Sequence, residues 1–206
     1  PSEIKDTERP DGNLTHYPLN YAINVGTWFV YDPVTRRGGN GLSYPNCHAG
    51  FASLVDGTSN TLAFAEVKAW TPYLRDGGNP KDSGAAIPGT PAGVSSLGGS
   101  FKADSGHTEW VDGRAHQTGF TGTFTPNTPV PFDSGGIQYD IDFTSAREGK
   151  AVDQLTYAAV TARSYHSGGV NASLADGSVR FISETIELST WRSLVTRDGG
   201  EAVGQY

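Results

Sequence analysis

The sequence predicts an α+β fold that is mostly β, with an antiparallel sheet, long loops and a short C-terminal helix. Three observations lead to this prediction. The chain contains 27 glycines and 12 prolines in 206 residues, a content that suits many short strands joined by turns. Several segments alternate apolar and polar residues with the period of a strand. Residues 188–195 carry apolar side chains at helical spacing.

The first half of the chain holds two predicted strand regions. Residues 20–31 are rich in aromatic and β-branched side chains and are interrupted by Gly26, which predicts one strand or a bent pair. Residues 61–70 place Leu62 and Phe64 among small residues after an Asp-Gly turn. We therefore predict a central strand there.

Two later segments show little periodicity and are predicted to be loop-rich excursions. Residues 71–100 are dominated by Gly, Pro, Ser and Ala, which predicts a long surface loop. Residues 119–135 alternate Thr, Phe and Pro, which predicts an extended arm that could lie against a neighbouring subunit. The length and the 36% hydrophobic content nevertheless predict a single domain over residues 1–206.

Between these excursions, residues 105–120 concentrate two of the five histidines, His107 and His116, with Trp110 and acidic residues. A zinc site is one interpretation, although the spacing matches neither an HExxH helix nor a Cys/His knuckle. A structural role is the favoured interpretation. In that role Trp110 packs into the core and its polar neighbours satisfy the backbone groups of the loop.

Residues 136–143 and 155–161 are predicted strands, the first with a clear period of two. This period places Asp140 and Asp142 on one face of a strand. Paired carboxylates can serve glycoside hydrolysis. Such pairs are more often a solvated edge or a cation site, and we favour that interpretation.

Asp176 and Gly177 predict a β-hairpin with a two-residue type I′ turn. In that register Leu174 lies opposite Val179 and Ala172 lies opposite Phe181, so these four side chains form one apolar face. A slip of one residue would turn the other set inward.

His166 precedes the Asp176-Gly177 pair by nine intervening residues. An extended strand rises about 3.3 Å per residue, which separates His166 from Asp176 by up to roughly 30 Å. We therefore expect no acid–base or metal pair. Asp176 and Gly177 are predicted to form the turn, and His166 to anchor the start of the hairpin through a buried hydrogen bond.

The last regular element is a predicted helix whose apolar residues, such as Trp191 and Leu194, recur at three- to four-residue spacing. Ser183 or Ser189 could cap its start, and Gly199 suits a left-handed exit. We expect the sheet to bury Trp191.

Composition argues against several classes of function. The net charge of −7 and the pI near 5.1 argue against a nucleic-acid surface, because phosphate binding needs clustered cations. The chain has no nucleophile elbow, Walker loop or dinucleotide fingerprint, and the adjacent Cys47 and His48 do not match a thiol protease. We predict a non-enzymatic protein. Cys47 is predicted to be a buried thiol or an intermolecular bridge.

Four motifs resemble those of a known family. The chain is similar to the planctomycete-type family called domain of unknown function 1559, prepilin-like proteins with a C-terminal His-x9-Asp-Gly motif. The motifs lie at residues 56–62 with Asp56, Gly57 and Asn60, at residues 106–114, at residues 166–177 with His166, Asp176 and Gly177, and at residues 191–201.

This resemblance implies a pilin-like or pseudopilin-like globular domain. The corresponding function is a structural subunit that self-associates, or joins other pilin-like subunits, in a type IV pilin-like or type II secretion filament. Such a protein is exported, is periplasmic before assembly, and lies at the cell surface or outside the cell afterwards. Its membrane contact is an N-terminal apolar helix. Because no apolar run here approaches the ~18 residues of a span, we expect that helix to have been removed or to lie outside this sequence.

The alternative function is an envelope-displayed binding module for polysaccharide or another protein. It would use the two excursions and aromatic residues such as Trp70, Tyr73 and Phe120. A concave aromatic patch would favour this alternative, because sugar rings stack on such surfaces.

No cofactor is predicted with certainty, and calcium is the most plausible small ligand, because the resemblance implies a pseudopilin and major pseudopilins bind calcium in C-terminal loops. The candidate ligands are Asp76, Asn79 and Asp82, and residues 56–60 form a second oxygen-rich loop. Neither loop follows the EF-hand spacing. Turn formation is the favoured interpretation of both loops.

Overall fold

The computed structural model describes residues 7–201 and 203–204, and these form a mostly β structure. Both ends of the predicted domain over residues 1–206 lie outside the described residues. The strands are β1 (Arg9–Asp11), β2 (Leu14–His16), β3 (Tyr21–Asn24), β4 (Phe29–Asp32), β5 (Arg37–Gly38), β6 (Leu62–Glu66), β7 (Thr71–Arg75), β8 (Ser100–Gly106), β9 (Gly119–Phe120), β10 (Pro131–Ser134), β11 (Ile137–Asp140), β12 (Asp142–Thr144), β13 (Thr156–Ala159), β14 (Gly169–Leu174) and β15 (Val179–Ser183). The helices are α1 (Pro91–Ser95), α2 (Ala115–Thr118) and α3 (Leu188–Val195), with a 3-10 turn at Phe51–Ser53.

Two mixed sheets carry the fold. The five-stranded sheet has the order β15-β14-β6-β3-β9, and the six-stranded sheet has the order β5-β4-β13-β12-β7-β8. Most neighbouring strands are antiparallel, but β3 pairs with β9 and β7 pairs with β12 in parallel. The hairpins β1-β2 and β10-β11 form two further small sheets.

The predicted fold class, a pilin-like or pseudopilin-like domain around an antiparallel sheet, is wrong. Several sheets form because the chain bends at Gly26, which has a φ of 105°, and this sends β3 and β4 into different sheets. A Cβ on Gly26 would lie 2.8 Å from the Gly41 amide nitrogen, so the bend leaves no room for a side chain. In the described part of the chain, the longest helix is α3 near the C-terminus.

The five-stranded sheet and α3 enclose one core. Trp191, Leu194 and Val195 of the helix are fully buried against the sheet, as their spacing predicts. The helix has no side-chain cap, because Glu187 occupies the N-cap position without a capping hydrogen bond. The left-handed glycine beyond it is Gly200, with a φ of 78°, and not Gly199.

The six-stranded sheet packs a second, aromatic core. The ring of Trp28 lies 6.0 Å from that of Phe143 and 5.3 Å from that of Tyr157, measured between centroids. Val94 of α1 and Val130 complete this core and are fully buried.

The two predicted excursions are therefore only partly loops. Residues 71–100 begin with β7, whose Tyr73 is buried, and residues 119–135 begin with β9, whose Phe120 is buried. Both strands take part in parallel pairs. Their partners are distant in sequence, so local periodicity does not reveal the pairing.

The β14-β15 hairpin forms at the predicted turn, but in a register shifted by one residue. Ser173 pairs with Val179, and the loop has three residues. The Gly177 amide donates to the Leu174 carbonyl at 3.0 Å, and its φ of 87° gives a type I turn with a G1 bulge. In consequence Val179 and Phe181, which were predicted to face the core, are 68% and 52% exposed.

The segment 105–120 also differs from its prediction. Trp110 is 61% exposed, so its predicted place in the core is wrong, and His107 and His116 are buried instead. Trp110 follows β8 and the left-handed His107, with a φ of 56°, at a point where the chain turns outward. No helix within residues 7–201 and 203–204 has the length and apolar character of a membrane span.

Candidate functional site

Asp56 holds the C-terminal segment of the chain. Its carboxylate accepts hydrogen bonds from the amides of Gly199 at 2.8 Å and Gly200 at 2.7 Å, and from the Thr196 hydroxyl at 3.2 Å. The Asp56 amide in turn donates to the Arg197 carbonyl at 3.2 Å. A single carboxylate thus satisfies three donors beyond the end of α3.

The loop that follows Asp56 docks on the turn of the β14-β15 hairpin. Gly57 adopts a φ of 91°, and the Asn60 side-chain amide donates to the Asp56 carbonyl at 3.0 Å. The Asp176 amide donates to the Thr58 carbonyl at 3.1 Å. The loop at residues 56–60 and the hairpin turn are therefore one connected polar cluster.

Asp176 lies in the hairpin turn and bonds to its own neighbour. Its carboxylate accepts from the amide and the hydroxyl of Ser178, at 2.9 and 2.7 Å. These hydrogen bonds hold the pKa of Asp176 below its ordinary value. Asp176 and Gly177 thus supply turn geometry.

His166 lies on the outer side of the five-stranded sheet. Its Nδ1 is 3.2 Å from a carboxylate oxygen of Glu66, which also accepts from the Asn171 amide at 2.7 Å. The imidazole is 58% exposed, so the expected buried hydrogen bond is instead one between an exposed ring and a largely buried carboxylate. The partner of His166 is Glu66, whereas the partner of Asp176 is Ser178.

The motif at residues 56–62 thus contacts the Asp176 end of the motif at residues 166–177 and also the motif at residues 191–201. A family model described as "Protein of unknown function (DUF1559)" matches residues 1–189. The chain belongs to this family. The match confirms the family resemblance and spans most of the chain. No curated protein and no solved structure matches the sequence.

The three candidate calcium ligands of this DUF1559 chain each have a separate protein partner. Asp76 pairs with Arg147 at 2.8 Å, the Asn79 amide donates to the Leu155 carbonyl at 2.8 Å, and Asp82 accepts from the Gly84 amide at 2.9 Å. Within the described residues, no three His, Cys, Asp or Glu side chains are grouped to hold a metal ion. Calcium binding stays a prediction.

A cleft of about 260 Å³ opens where the β6-β7 turn meets the end of β11. We call it the aromatic cleft. Trp70 has a φ of 63°, a strained conformation for a bulky residue that often marks functional sites. The side chains that give the aromatic cleft its chemistry are Lys68, Trp70, Tyr139, Asp140, Arg163 and Tyr165.

Arg163 is the buried support of the aromatic cleft. Its guanidinium donates to both oxygens of Asp140, at 3.1 and 2.9 Å, and also to Asp142. Burial raises the pKa of Asp142, but Arg163 and His107 outweigh burial and bring that pKa below its ordinary value. A glycosidase pair needs one protonated carboxyl, and here a single guanidinium holds both carboxylates.

Lys68 places an ammonium group in the aromatic cleft. The nitrogen lies 4.4 Å from the centroid of the Tyr165 ring, a cation–π distance. Partial burial and the Arg163 charge lower the pKa of Lys68, while Asp140 opposes them. The aromatic cleft therefore combines rings with a fixed anion and a fixed cation. Sequence reasoning singled out Trp70 but missed Lys68, Tyr139, Arg163 and Tyr165, which only the fold brings together.

A larger cavity of about 650 Å³ lies beside β4 and β5. Its innermost cation is Arg197, whose guanidinium donates to the carbonyls of Gly39 at 2.6 Å and Gly41 at 2.5 Å. Through these bonds Arg197 fixes the glycine-rich loop at residues 38–41. The aromatic cleft, whose rings and charges converge, is the better candidate site.

Proposed function

We propose that the protein is an exported, non-enzymatic binding module displayed at the cell envelope, and that its aromatic cleft binds a saccharide. The observation that carries this proposal is the convergence of Trp70, Tyr139 and Tyr165 with Asp140 and Lys68 in one concavity. Ligand sites combine apolar walls with a few fixed polar groups.

Each part of the aromatic cleft matches a part of a sugar. Aromatic faces offer a large, rigid apolar surface to the C–H side of a pyranose ring. Asp140 is held by Arg163 and by the Val130 amide at 2.8 Å, so its remaining lone pairs are oriented to accept hydroxyl protons. Lys68 supplies donors for hydroxyl or carboxylate oxygens.

A glycan array with the purified protein tests the proposal. We expect selective binding to a set of saccharides, and a loss of affinity of about tenfold or more in Trp70→Ala, because stacking and burial at a hot spot supply that much. Trp110→Ala is the matched control, because Trp110 is equally large but exposed and outside the aromatic cleft. It should leave binding unchanged.

A second variant separates binding from folding. Tyr165 is exposed and lies in the loop between β13 and β14, so Tyr165→Ala should keep the far-UV circular dichroism and the melting temperature of the parent while weakening sugar binding. An array without selective binding, or variants of Trp70 and Tyr165 that bind like the parent, would refute the saccharide proposal.

The second candidate function is the structural filament subunit of the pilin-like or pseudopilin-like kind. The outer face of the five-stranded sheet supports it, because Val179, Phe181, Phe64 and Tyr21 are exposed there. Phe64 lies opposite Ser173, which lies opposite Val179, so the apolar side chains span several strands. Exposed apolar patches of this kind mark interaction surfaces.

Electron microscopy of native material, with the mass of its N-terminal peptide, tests the second candidate. Regular filaments that contain this chain would support it. Phe181→Ser should then reduce assembly, whereas Val152→Ser, a change at an exposed residue outside both sheets, should not. Monomers at all concentrations would exclude it.

A further inference from the structure

Strand β15 is an exposed edge of the five-stranded sheet. The strands at the edges of the two large sheets are β15, β9, β5 and β8. Strands β9 and β5 are two residues long, and β8 carries the charged Lys102 and Asp104. Short or charged edges discourage the addition of another strand, whereas a longer apolar edge invites it. Strand β15 has five residues, and its Val179 and Phe181 are exposed, so it is the edge best suited to receive a further strand.

The backbone of β15 faces β14 and the open edge at alternate residues. The Ser178 carbonyl and the Glu184 amide bond to the other arm of the hairpin, at 2.8 and 2.9 Å. In an antiparallel ladder the residues between these two bonds alternate in direction. Val179 and Phe181 therefore project both N–H and C=O from the open edge, and Ser183 projects its N–H. Groups of this kind bind another extended chain by adding it to the sheet.

Pairing β15 with its own copy about a twofold axis uses all of these groups. Phe181 is the middle residue of β15, so placing it opposite Phe181 of the partner subunit pairs the strand along its whole length. Val179 then lies opposite Ser183 of the partner subunit, and both outward pairs are of the hydrogen-bonded kind. A register centred one residue earlier would place Arg180 directly opposite Arg180 of the partner subunit, and like charges there are destabilising.

The charges along β15 suit the same register. Arg180 and Glu184 are both exposed and lie four positions apart, on one face of the extended chain. An antiparallel copy brings Arg180 diagonally opposite Glu184 of the partner subunit, and the twofold axis repeats this contact. Opposite charges on neighbouring strands stabilise the pair. We propose that β15 pairs with β15 of a second copy of this chain, which joins two five-stranded sheets into one continuous sheet.

This dimer is independent of saccharide binding, because β15 contributes no residue to the aromatic cleft. It also differs from a filament contact. A twofold contact uses the same patch on both copies and closes on itself. Assembly through the β15 edge therefore stops at two copies.

Sedimentation equilibrium of the intact chain tests the pairing. We expect the mass to rise with concentration and to stop at twice that of one chain. Amide hydrogen exchange should show the N–H groups of Val179, Phe181 and Ser183 becoming protected as the dimer forms, while those of Arg180 and Ile182, which face β14, are protected throughout. The mass of one chain at every concentration, or outward amides that exchange equally fast at every concentration, would overturn the proposal.

Phe181→Lys is the decisive variant, because it places two like charges opposite each other at the centre of the pairing. It should weaken dimerisation about tenfold or more. Phe64→Lys is the matched control, because Phe64 is exposed on the same face of the sheet but lies in β6, an inner strand. It should leave dimerisation unchanged. Equal losses in the two variants would show that the copies meet through their sheet faces and would overturn the edge pairing.

Charge reversal tests the register without changing the apolar residues. Arg180→Glu should weaken dimerisation about fivefold, because two contacts with Glu184 of the partner subunit become repulsive. Combining it with Glu184→Arg should restore the parent affinity, and the melting temperature of each variant verifies that the chain is folded. A double variant that dimerises no better than Arg180→Glu alone would overturn this register.

Discussion

Asp56 organises the end of the chain through one carboxylate with three donors. We expect Asp56→Ala to lower the free energy of unfolding by about 1 to 3 kcal/mol, because the amides of Gly199 and Gly200 lose a charged acceptor. Asp104→Ala, at an exposed carboxylate in β8, should have almost no effect. Urea denaturation of both variants checks this, and equal midpoints would contradict it.

The raised pKa of Glu148 makes the free energy of unfolding depend on pH. Its Oε2 is buried without a hydrogen bond, and burial raises its pKa from 4.5 to about 7. A raised pKa in the folded state means that the stabilisation is fully present below pH 4.5 and is lost as the pH rises through about 7. The loss is on the order of 3 kcal/mol.

Glu148→Gln should remove this part of the pH dependence, because an amide does not titrate. The useful quantity is the difference in unfolding free energy between the parent and the variant, since His116 has a lowered pKa and contributes an opposite slope below neutral pH. A difference that stays constant from acid to neutral pH would show that Glu148 titrates normally.

At the scale of single elements, the β14-β15 hairpin depends on the left-handed conformation of Gly177. An alanine Cβ there would meet no atom within 4 Å, so any cost of Gly177→Ala is conformational. We expect a loss of about 1 kcal/mol. Gly50→Ala is the control, because Gly50 is equally open but has a φ of −108°. Thermal unfolding of both variants measures the difference.

The same hairpin shows how far sequence reasoning reaches. The strands β6 and β13 were predictable from their runs of apolar and small residues, and the helix α3 from its apolar period. The hairpin register was not, because Asp176-Gly177 suits both a two-residue and a three-residue loop. The contact between the loop at residues 56–60 and the hairpin turn was not predictable either. It depends on the hydrogen bond from the Asp176 amide to the Thr58 carbonyl, and these two residues meet only in the folded chain.

The candidate site was less predictable than the elements. Trp70 was recognisable as an aromatic residue beside a predicted strand. Arg163 was not, because its partner Asp140 lies 23 positions away and the two meet only when β12 and β13 pair. Residue type alone also misplaced Trp110, because an isolated tryptophan does not reveal which side of a loop it faces.

For the whole molecule, Arg163 ties the two large sheets together. Its amide donates to the Glu66 carbonyl of the five-stranded sheet at 2.8 Å, and its guanidinium holds Asp142 of the six-stranded sheet. Arg163→Met should cost about 3 to 5 kcal/mol, because it leaves a buried carboxylate unpaired. Adding Asp142→Asn should restore part of that loss. Chemical denaturation of the single and double variants checks the coupling, and strictly additive effects would contradict it.

The parallel pairs set the order in which the molecule can be completed. Strand β7 can form its parallel pair only after β12 is available, and the five-stranded sheet is complete only when β15 has joined it. Neither large sheet can therefore be completed by one half of the chain alone, because each contains strands from both halves. Such non-local topologies fold slowly, on the scale of milliseconds to seconds. A fragment that ends before β12 would consequently leave strands of both large sheets with unpaired edges.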